Sequence, residues 1–242
     1  MKVYIQADQR GMPYNINSYS AMRGFEQMGF ETVLFSEPEE LEEVSKTNII
    51  VGGVGRIKTF LEDKGIVIED IDYPEELRAF YKRKIWASTV KELLTQKHTP
   101  PVFVKPKIGK LFSGFTYFTD RDLIGRVTPS QNVEIYCSEI INIQEEWRCF
   151  IRYGKILDIR RYSGDIGLSY DFNLVKHMVE QYAKAPNAYA LDIGVTDKGD
   201  TIIVEVNDGY SLGSYGLDPL LYAKLLSARW AEMTNTTDEC NF

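Results

Sequence analysis

Asp192-Ile-Gly-Val-Thr-Asp-Lys-Gly-Asp-Thr-Ile-Ile-Val-Glu-Val-Asn207 carries the most informative pattern in the chain. Two apolar, β-branched runs flank Lys198-Gly199, which predicts a β-hairpin with a two-residue loop in which the glycine adopts positive φ. A turn at that position pairs Asp192 directly with Glu205. Because side chains alternate along a strand, Asp192, Glu205 and Asn207 are expected on one face of the hairpin.

The opposite face of this hairpin is predicted to be apolar core. Two carboxylates that face each other directly repel and destabilise a sheet. A bound cation removes the conflict, and carboxylate and amide oxygens suit Mg²⁺, which completes its shell with water and phosphate oxygens. A solvated outer face, common in antiparallel hairpins, is the other interpretation, and the pattern leaves both open. The predicted apolar pairs are Leu191 with Val206, Ile193 with Val204 and Val195 with Ile202.

Size and composition describe an ordinary globular protein. The 242 residues can form one large or two small domains, and a net charge of −7 argues against general affinity for nucleic-acid backbones. Three widely spaced cysteines and two histidines form no CxxC or Cys/His cluster, so neither a zinc site nor a disulfide framework is expected. Without a leader pattern or a long apolar run, we expect a cytoplasmic protein with no membrane partner.

The first part of the chain predicts a small parallel α/β domain. Open sheets of this kind bind ligands at the carboxyl ends of their strands. The long polar connection Asp8–Ser18 follows the first strand, which makes it a candidate substrate loop with Asn17 and Ser18 as contacts; a plain surface loop is equally compatible. Strand-like segments lie at 3–7, 32–35 and 48–51, and helical patterns at 19–28, 38–44 and 57–64.

The remainder of the chain predicts an α+β region. A helical stretch is expected to run through Leu94, and it is followed by paired strands interrupted by helices. A hairpin is expected around Tyr153-Gly154, and Asp171 is a candidate N-cap. The predicted strands lie at 102–106, 114–118, 134–141 and 147–160, and the later helices at 171–184 and 219–233.

A lysine at the end of an apolar strand suggests a nucleotide. Lys105 is followed by a loop that carries Lys110, Ser113 and Gly114. A lysine together with free backbone N–H groups can bind phosphates, although no Walker A sequence is present. By itself this is a weak signal.

The order of these features resembles the ATP-grasp superfamily. A strand with Lys105 and its loop are followed by Ser138-Glu-Ile-Ile141, by Glu145-Glu-Trp-Arg148, and finally by Asp192 and Glu205-Val-Asn207. The resemblance covers about residues 80–230. It implies a small N-terminal parallel α/β domain at 1–75, followed by a two-subdomain ATP-grasp fold with a small subdomain at 76–136 and a C-terminal subdomain at 137–242.

The resemblance also implies roles for individual residues. Lys105 would contact the α- or β-phosphate, and the loop from Lys110 through Ser113 to Gly114 would cover the phosphates. Arg148 would reach the γ-phosphate or a forming acyl phosphate, with Lys105 as the second catalytic group. Glu139, Ile140 and Ile141 would bind adenine, and Glu145 or Glu146 would bind the ribose. Asp192, Glu205 and Asn207 would bind Mg²⁺. Arg83 would add a basic contact, for which a solvated helix arginine is an equal alternative.

The implied activity is that of an ATP- and Mg²⁺-dependent carboxylate–amine (or thiol) ligase. It would form ADP and act through an acyl phosphate. Arg160 and Arg161 would lie near the substrate end, together with Asn207-Asp-Gly-Tyr-Ser-Leu-Gly-Ser-Tyr215. Cationic and hydroxyl groups there suit a carboxylate acceptor, although a surface arginine pair fits as well. The implied partners are a small-molecule, peptide or protein carboxylate and an amine acceptor; nucleic acid is not expected, and the oligomeric state, a homodimer included, stays open. A kinase on the same fold and a non-catalytic nucleotide-binding adaptor are the competing hypotheses.

Overall fold

The computed structural model describes residues 1–95, 101–107, 111–128, 130–164 and 166–242. These residues form two compact units. One consists of residues 1–80 and 144–242, and the other of residues 81–143. The three-part division at residues 75 and 136 stays a prediction. No helix in the described ranges is long and apolar enough to cross a membrane.

The first layer of the larger unit is the predicted parallel sheet. Its three strands have the order β2-β1-β3, and both pairings are parallel. The central strand carries Val3 and Ile5, both of which are completely buried. The elements are β1 (Lys2–Gln6), α1 (Ile16–Gln27), β2 (Glu31–Phe35), β3 (Ile49–Val51) and α2 (Val54–Asp63).

The helix predicted at 38–44 is wrong in length, because the structure has only a 3₁₀ turn over Pro38–Leu41. A capping box between Glu37 and Glu40 starts the turn. Glu42 and Glu43 follow it directly, and negative charge at the carboxyl end of a helix opposes the helix dipole. The turn therefore ends before a second turn can form.

The second sheet of the larger unit contains the hairpin that carries Asp192 and Glu205. Its four strands have the order β11-β10-β8-β9. The pairs β8–β9 and β10–β11 are antiparallel. The strands are β8 (Ile143–Arg152), β9 (Lys155–Gly164), β10 (Ala188–Thr196) and β11 (Thr201–Asp208), and the helices are α4 (Phe172–Gln181) and α5 (Pro219–Thr234).

A single apolar core joins the parallel sheet to α1 and α5. Phe25, Tyr222 and Leu225 are each at most 1% exposed within it. Gly24 lets the two helices approach closely, since a Cβ there would lie 1.9 Å from the carbonyl oxygen of Pro219. This packing holds α1 against α5 within the larger unit.

The smaller unit is an antiparallel sheet with one short helix. Its strand order is β4-β7-β5-β6. Its core contains Val104 and Ile135, both completely buried. The elements are β4 (Ile85–Thr89), α3 (Val90–Thr95), β5 (Val102–Pro106), β6 (Phe115–Tyr117) and β7 (Glu134–Glu139).

The prediction of continuous helix up to Leu94 is wrong. Residues Glu75–Phe80 form a 3₁₀ turn and Ile85–Thr89 form strand β4, so that only Val90–Thr95 is α-helical. The Ile-Trp-Ala-Ser-Thr segment is rich in β-branched and aromatic residues, which favour strands. Its pairing with residues 134–138 of β7 decides the outcome.

Candidate active site

The predicted pairing at the functional end of the hairpin is confirmed. Asp192 on β10 lies directly opposite Glu205 on β11, and Ala190 lies opposite Asn207. Alternation along β11 then puts Glu205 and Asn207 on the same face as Asp192. Three oxygen-bearing side chains therefore lie together at this end of the sheet.

The predicted two-residue loop is wrong, and so is the pairing that it implied near the turn. Strand β10 ends at Thr196 and β11 begins at Thr201, so the connection has four residues. Thr196 Oγ1 accepts hydrogen bonds from the backbone N–H groups of Lys198 (3.3 Å) and Asp200 (3.2 Å), and this side-chain turn closes the longer loop. Gly199 does adopt positive φ, +81°.

A bulge accommodates the longer loop. After Asp192 the register shifts by one residue, so that Ile193 pairs with Ile203 and Val195 with Thr201, and Val204 is the extra residue. The apolar pairs predicted for Ile193 and Val195 are therefore corrected. The pair of Leu191 with Val206 is confirmed.

The solvated-face interpretation of Asp192 is also wrong. All nine residues of β10 are buried, and Asp192 itself is only 2% exposed. A buried carboxylate without a partner is strongly unfavourable. The structure must therefore compensate its charge.

Arg148 on β8 supplies that compensation. Its Nε and Nη2 donate to the two carboxylate oxygens of Asp192, each at 2.7 Å. The two side chains are 7% and 3% exposed, so the ion pair is desolvated. Such bidentate, charge-assisted pairs are geometrically specific. Arg148 therefore lies against Asp192, and a fully solvated position for its guanidinium is excluded.

Further carboxylates surround this pair. Burial raises the pKa of the Asp192 carboxyl, the negative charges of Glu205 and Glu146 add to the rise, and the Arg148 guanidinium opposes it. Glu146 lies on β8 two residues before Arg148 and accepts a hydrogen bond from the Tyr162 hydroxyl at 2.8 Å. Glu146 is thus close to the acidic cluster.

Asn207 links the two carboxylates that face each other. Its Nδ2 donates to Asp192 Oδ2 at 3.0 Å and to Glu205 Oε1 at 3.2 Å. With the amide rotated by half a turn, Oδ1 would take the place of Nδ2 and complete an all-oxygen donor set with the two carboxylates, as Mg²⁺ requires. The described residues contain no group of three His, Cys, Asp or Glu side chains able to hold a metal. The fit to Mg²⁺ therefore depends on the Asn207 amide.

The loop after β11 connects this cluster with the amino-terminal end of α1. Asn17 Oδ1 accepts hydrogen bonds from the backbone N–H (2.9 Å) and the hydroxyl (3.0 Å) of Ser214. Arg148 Nη1 donates to the carbonyl oxygen of Gly213 at 3.4 Å. Ser18 is only 3% exposed. Of the two predicted substrate contacts, Asn17 therefore lies at the loop that covers Arg148, and Ser18 is packed inside.

The structure separates Arg160 from Arg161. Arg160 pairs with Arg148 across β8 and β9, and it therefore lies on the same face of the sheet. Its guanidinium binds Asp158 at 2.6 Å. Arg161 pairs with Trp147 on the other face, where it lies 3.6 Å from the buried Glu145. Only Arg160 is brought to the side of the acidic cluster.

The predicted nucleotide residues of the smaller unit lie on neighbouring elements of its sheet. Lys105 is half-buried on β5 and pairs with Tyr136 on β7, while Ser113 and Gly114 are exposed just before β6. Lys110 lies outside the described residues. A Cβ at Gly114 would lie 2.4 Å from Cζ of Phe103, so a larger residue here would displace that ring.

The predicted adenine segment follows β7. Glu139 closes this strand and its carboxylate accepts a hydrogen bond from the backbone N–H of Lys84 at 2.8 Å. Ile140 is 46% exposed, and Ile141 is partly exposed. The Glu139 carboxylate therefore has a local structural partner, and the apolar surface at this point comes from Ile140.

Sequence reasoning missed Tyr162 as a neighbour of Arg148. Its ring centroid lies 6.0 Å from the guanidinium carbon, and no spacing rule identified it. The segment from Asn207 to Tyr215, expected near the substrate end, does contribute Gly213 and Tyr215 to the surroundings of Arg148.

One protein-family model matches more than half of the chain. The family model described as ATP-grasp domain, R2K clade family 2, matches residues 80–225. No match is found among curated proteins.

Several solved structures share the fold. The D-alanine–D-alanine ligase from Bacillus anthracis complexed with ATP has a TM-score of 0.61 at 18% identity, over 97% of this chain and 97% of that one. A RimK domain ATP-grasp protein from Sphaerobacter thermophilus DSM 20745 has a TM-score of 0.61 at 14% identity, over 93% and 99%. The ATP-grasp ligase PsnB complexed with minimal precursor has a TM-score of 0.54 at 13% identity, over 95% and 98%. The predicted fold class is confirmed.

Proposed function

Since the chain belongs to the ATP-grasp domain family, R2K clade family 2, we propose that it is an ATP- and Mg²⁺-dependent carboxylate–amine (or thiol) ligase. It would form ADP and join its substrates through an acyl phosphate. The donor would be a small-molecule, peptide or protein carboxylate, and the acceptor an amine. A homodimer is compatible with this proposal.

One observation carries the proposal. Asp192, Glu205 and Asn207 share one face of the sheet, and the guanidinium of Arg148 is fixed against Asp192 by two 2.7 Å hydrogen bonds. A buried cation beside a cluster of oxygen ligands can stabilise the charge that develops during phosphoryl transfer. This chemistry needs positioning and charge neutralisation and no side-chain nucleophile.

Magnesium, when bound, would neutralise phosphate charge, and Asp192, Glu205 and Asn207 would hold it. Arg148 would orient the transferred group by exchanging part of its bonding to Asp192 for phosphate oxygens. Lys105 would bind the α- or β-phosphate, and Ser113 and Gly114 would supply backbone N–H groups to the phosphates.

The other proposed contacts are with adenosine and with the substrates. Glu139, Ile140 and Ile141 would bind adenine. For the ribose, Glu146 stays the proposed ligand, although its hydrogen bond with Tyr162 and its proximity to Asp192 associate it with the acidic cluster as well. Asn17 and Arg160 are proposed for the substrate end, because the first contacts the loop over Arg148 and the second pairs with Arg148 across the sheet.

Calorimetric binding of a non-hydrolysable ATP analogue, with and without Mg²⁺, tests the nucleotide site. We expect magnesium-dependent binding to the wild type, and loss of the magnesium effect in Glu205→Ala. Glu180→Ala is the matched control, because its side chain is 67% exposed on α4. No binding to the wild type, or an equal effect of both substitutions, would contradict the proposal.

Release of ADP then tests the reaction class. Amino acids and dipeptides supply both a carboxylate and an amine, and turnover that requires both identifies a ligase. Turnover with a single acceptor would indicate a kinase instead. Magnesium-dependent nucleotide binding without turnover for any pair would indicate a nucleotide-binding adaptor.

A further inference from the structure

Two stacked tyrosines lie beside the Arg148–Asp192 ion pair. The rings of Tyr162 and Tyr215 have centroids 4.9 Å apart and an interplanar angle of 16°. The guanidinium carbon of Arg148 lies 4.6 Å from the centroid of Tyr215 and 6.0 Å from that of Tyr162. These are distances at which a cation and an aromatic ring attract each other.

Each ring reaches this position through an irregular piece of backbone. The pairing of β8 with β9 skips Tyr162, since Glu146 pairs with Ser163 and Trp147 with Arg161. Such a bulge re-aims the extra side chain, which here reaches the Glu146 carboxylate. Tyr215 has φ of 42°, which is uncommon for a residue other than glycine. Two independent deviations from regular structure thus bring the rings together.

The loop that carries Tyr215 is shaped around Arg148. A Cβ at Gly213 would lie 3.2 Å from Arg148 Nη1 and 3.5 Å from Cε2 of Tyr215, so that a glycine allows the close approach of this loop. The hydrogen bonds between Ser214 and Asn17 hold the loop to α1. The flat sides of the guanidinium cannot form hydrogen bonds, and the rings occupy space next to them that water would otherwise fill.

We propose that Tyr215, supported by Tyr162, is a positioning residue for Arg148, a role that rests on the function proposed above. During turnover Arg148 must exchange hydrogen bonds with Asp192 for bonds with a substrate oxygen. An aromatic face attracts a guanidinium without fixing the direction of its N–H groups. The stack therefore holds the position of the guanidinium while its hydrogen-bond partners change. The guanidinium of Arg148 can then turn within its own plane while it stays against the rings.

The test compares Tyr215→Leu with Tyr215→Phe. The Tyr215 hydroxyl forms no hydrogen bond with the described residues, so phenylalanine keeps the ring and leucine removes it. Tyr215 is 46% exposed, and we expect both variants to fold. Tyr19→Leu is the matched control, because that ring is 48% exposed on α1 and makes no ring contact with any residue that the structure describes.

Two readouts decide the outcome. The first is the hydrogen exchange of the Arg148 Nε–H group, observed by ¹⁵N NMR and assigned with Arg148→Lys; we expect faster exchange in Tyr215→Leu alone. The second is turnover, in which we expect about 10- to 100-fold lower kcat in Tyr215→Leu at nearly unchanged KM for ATP, and wild-type behaviour in Tyr215→Phe.

Unchanged exchange and kcat in Tyr215→Leu would overturn the proposal, and so would equal losses in Tyr215→Phe and Tyr215→Leu. If the wild type proves inactive, the proposed function fails, and the exchange of the Arg148 Nε–H group still decides whether the stack positions the guanidinium. Faster exchange in Tyr19→Leu as well would indicate general loosening and would also overturn it.

Discussion

Replacing Arg148 with leucine removes one partner of a buried ion pair and leaves the other in place. The two side chains are 7% and 3% exposed, and both carboxylate oxygens of Asp192 accept from the guanidinium at 2.7 Å. In Arg148→Leu the described structure leaves Asp192 only the amide of Asn207 as a hydrogen-bond donor. Breaking a buried pair in this way costs about 3–5 kcal/mol.

Urea unfolding followed by circular dichroism measures this loss. With a slope of about 2 kcal/mol per molar urea, a loss of about 4 kcal/mol lowers the midpoint by roughly 2 M. We further expect Mg²⁺ to restore part of the stability, because a cation bound by Asp192 replaces the lost positive charge. At a concentration 100 times its Kd, a ligand that binds only the folded state adds about 2.7 kcal/mol.

Arg152→Leu is the matched control for both effects. Arg152 binds Asp238 at 2.7 Å with side chains that are 12% and 5% exposed, and neither residue belongs to the candidate site. We expect a comparable loss of stability without recovery by Mg²⁺. The reasoning fails if Arg148→Leu unfolds at the wild-type midpoint, or if Mg²⁺ stabilises both variants equally.

Three further outcomes follow from the packing and the pKa values. Gly24→Ala is expected to lower Tm by several degrees, since a Cβ there would lie 1.9 Å from the Pro219 oxygen and overpacking costs about 1–3 kcal/mol. Gly55→Ala, with no atom within 4 Å of the added Cβ, is expected to raise Tm. The opposite order of the two Tm values in calorimetry would refute this. Asn17→Ala removes the acceptor for both Ser214 hydrogen bonds, so limited proteolysis should cut within 209–217 faster than in the wild type; identical cleavage rates would show that the loop is held elsewhere. Burial, followed by the charge of Glu92, raises the pKa of the Cys137 thiol to about 11. The thiolate fraction of Cys137 at pH 8 is therefore about one in a thousand. Labelling of this thiol in the native protein, followed by mass spectrometry, should be slow until the pH approaches the pKa or the smaller unit unfolds. Rapid labelling at pH 8 would contradict the buried position.

The sequence predicted the functional end of the hairpin better than its turn. Asp192, Glu205 and Asn207 stand out because polar residues interrupt an apolar pattern, and this contrast determines the pairing at that end. Thr201-Ile-Ile-Val204 offers no such contrast, since apolar side chains point to both faces of the strand and both faces of the sheet are covered there. Alternation cannot determine the register of a strand that is buried on both sides.

The environment of Asp192 depended on contacts that no local pattern contains. Opposed carboxylates in the sequence indicated a cation, and the structure places the guanidinium of Arg148 there from a strand more than forty residues earlier in the chain. Strand β4 was missed for another reason, because five residues that favour a strand lie directly between two helical segments. Their pairing with β7, from much later in the chain, separates them from these segments.

The bulge at Val204 reconciles two requirements that a regular ladder could not meet. Glu205 must share a face with Asp192, and Ile203 pairs with Ile193 on the opposite, core-facing side. In an unbroken strand Ile203 and Glu205 would lie on the same face, because they are two residues apart. The extra residue reverses the alternation between them, so that the apolar side chain enters the core and the carboxylate stays beside Arg148. A second bulge, at Tyr162, brings an aromatic ring to the same charged cluster. The irregular positions at Val204 and Tyr162 therefore lie beside the charged cluster, and the predicted register failed at the first of them.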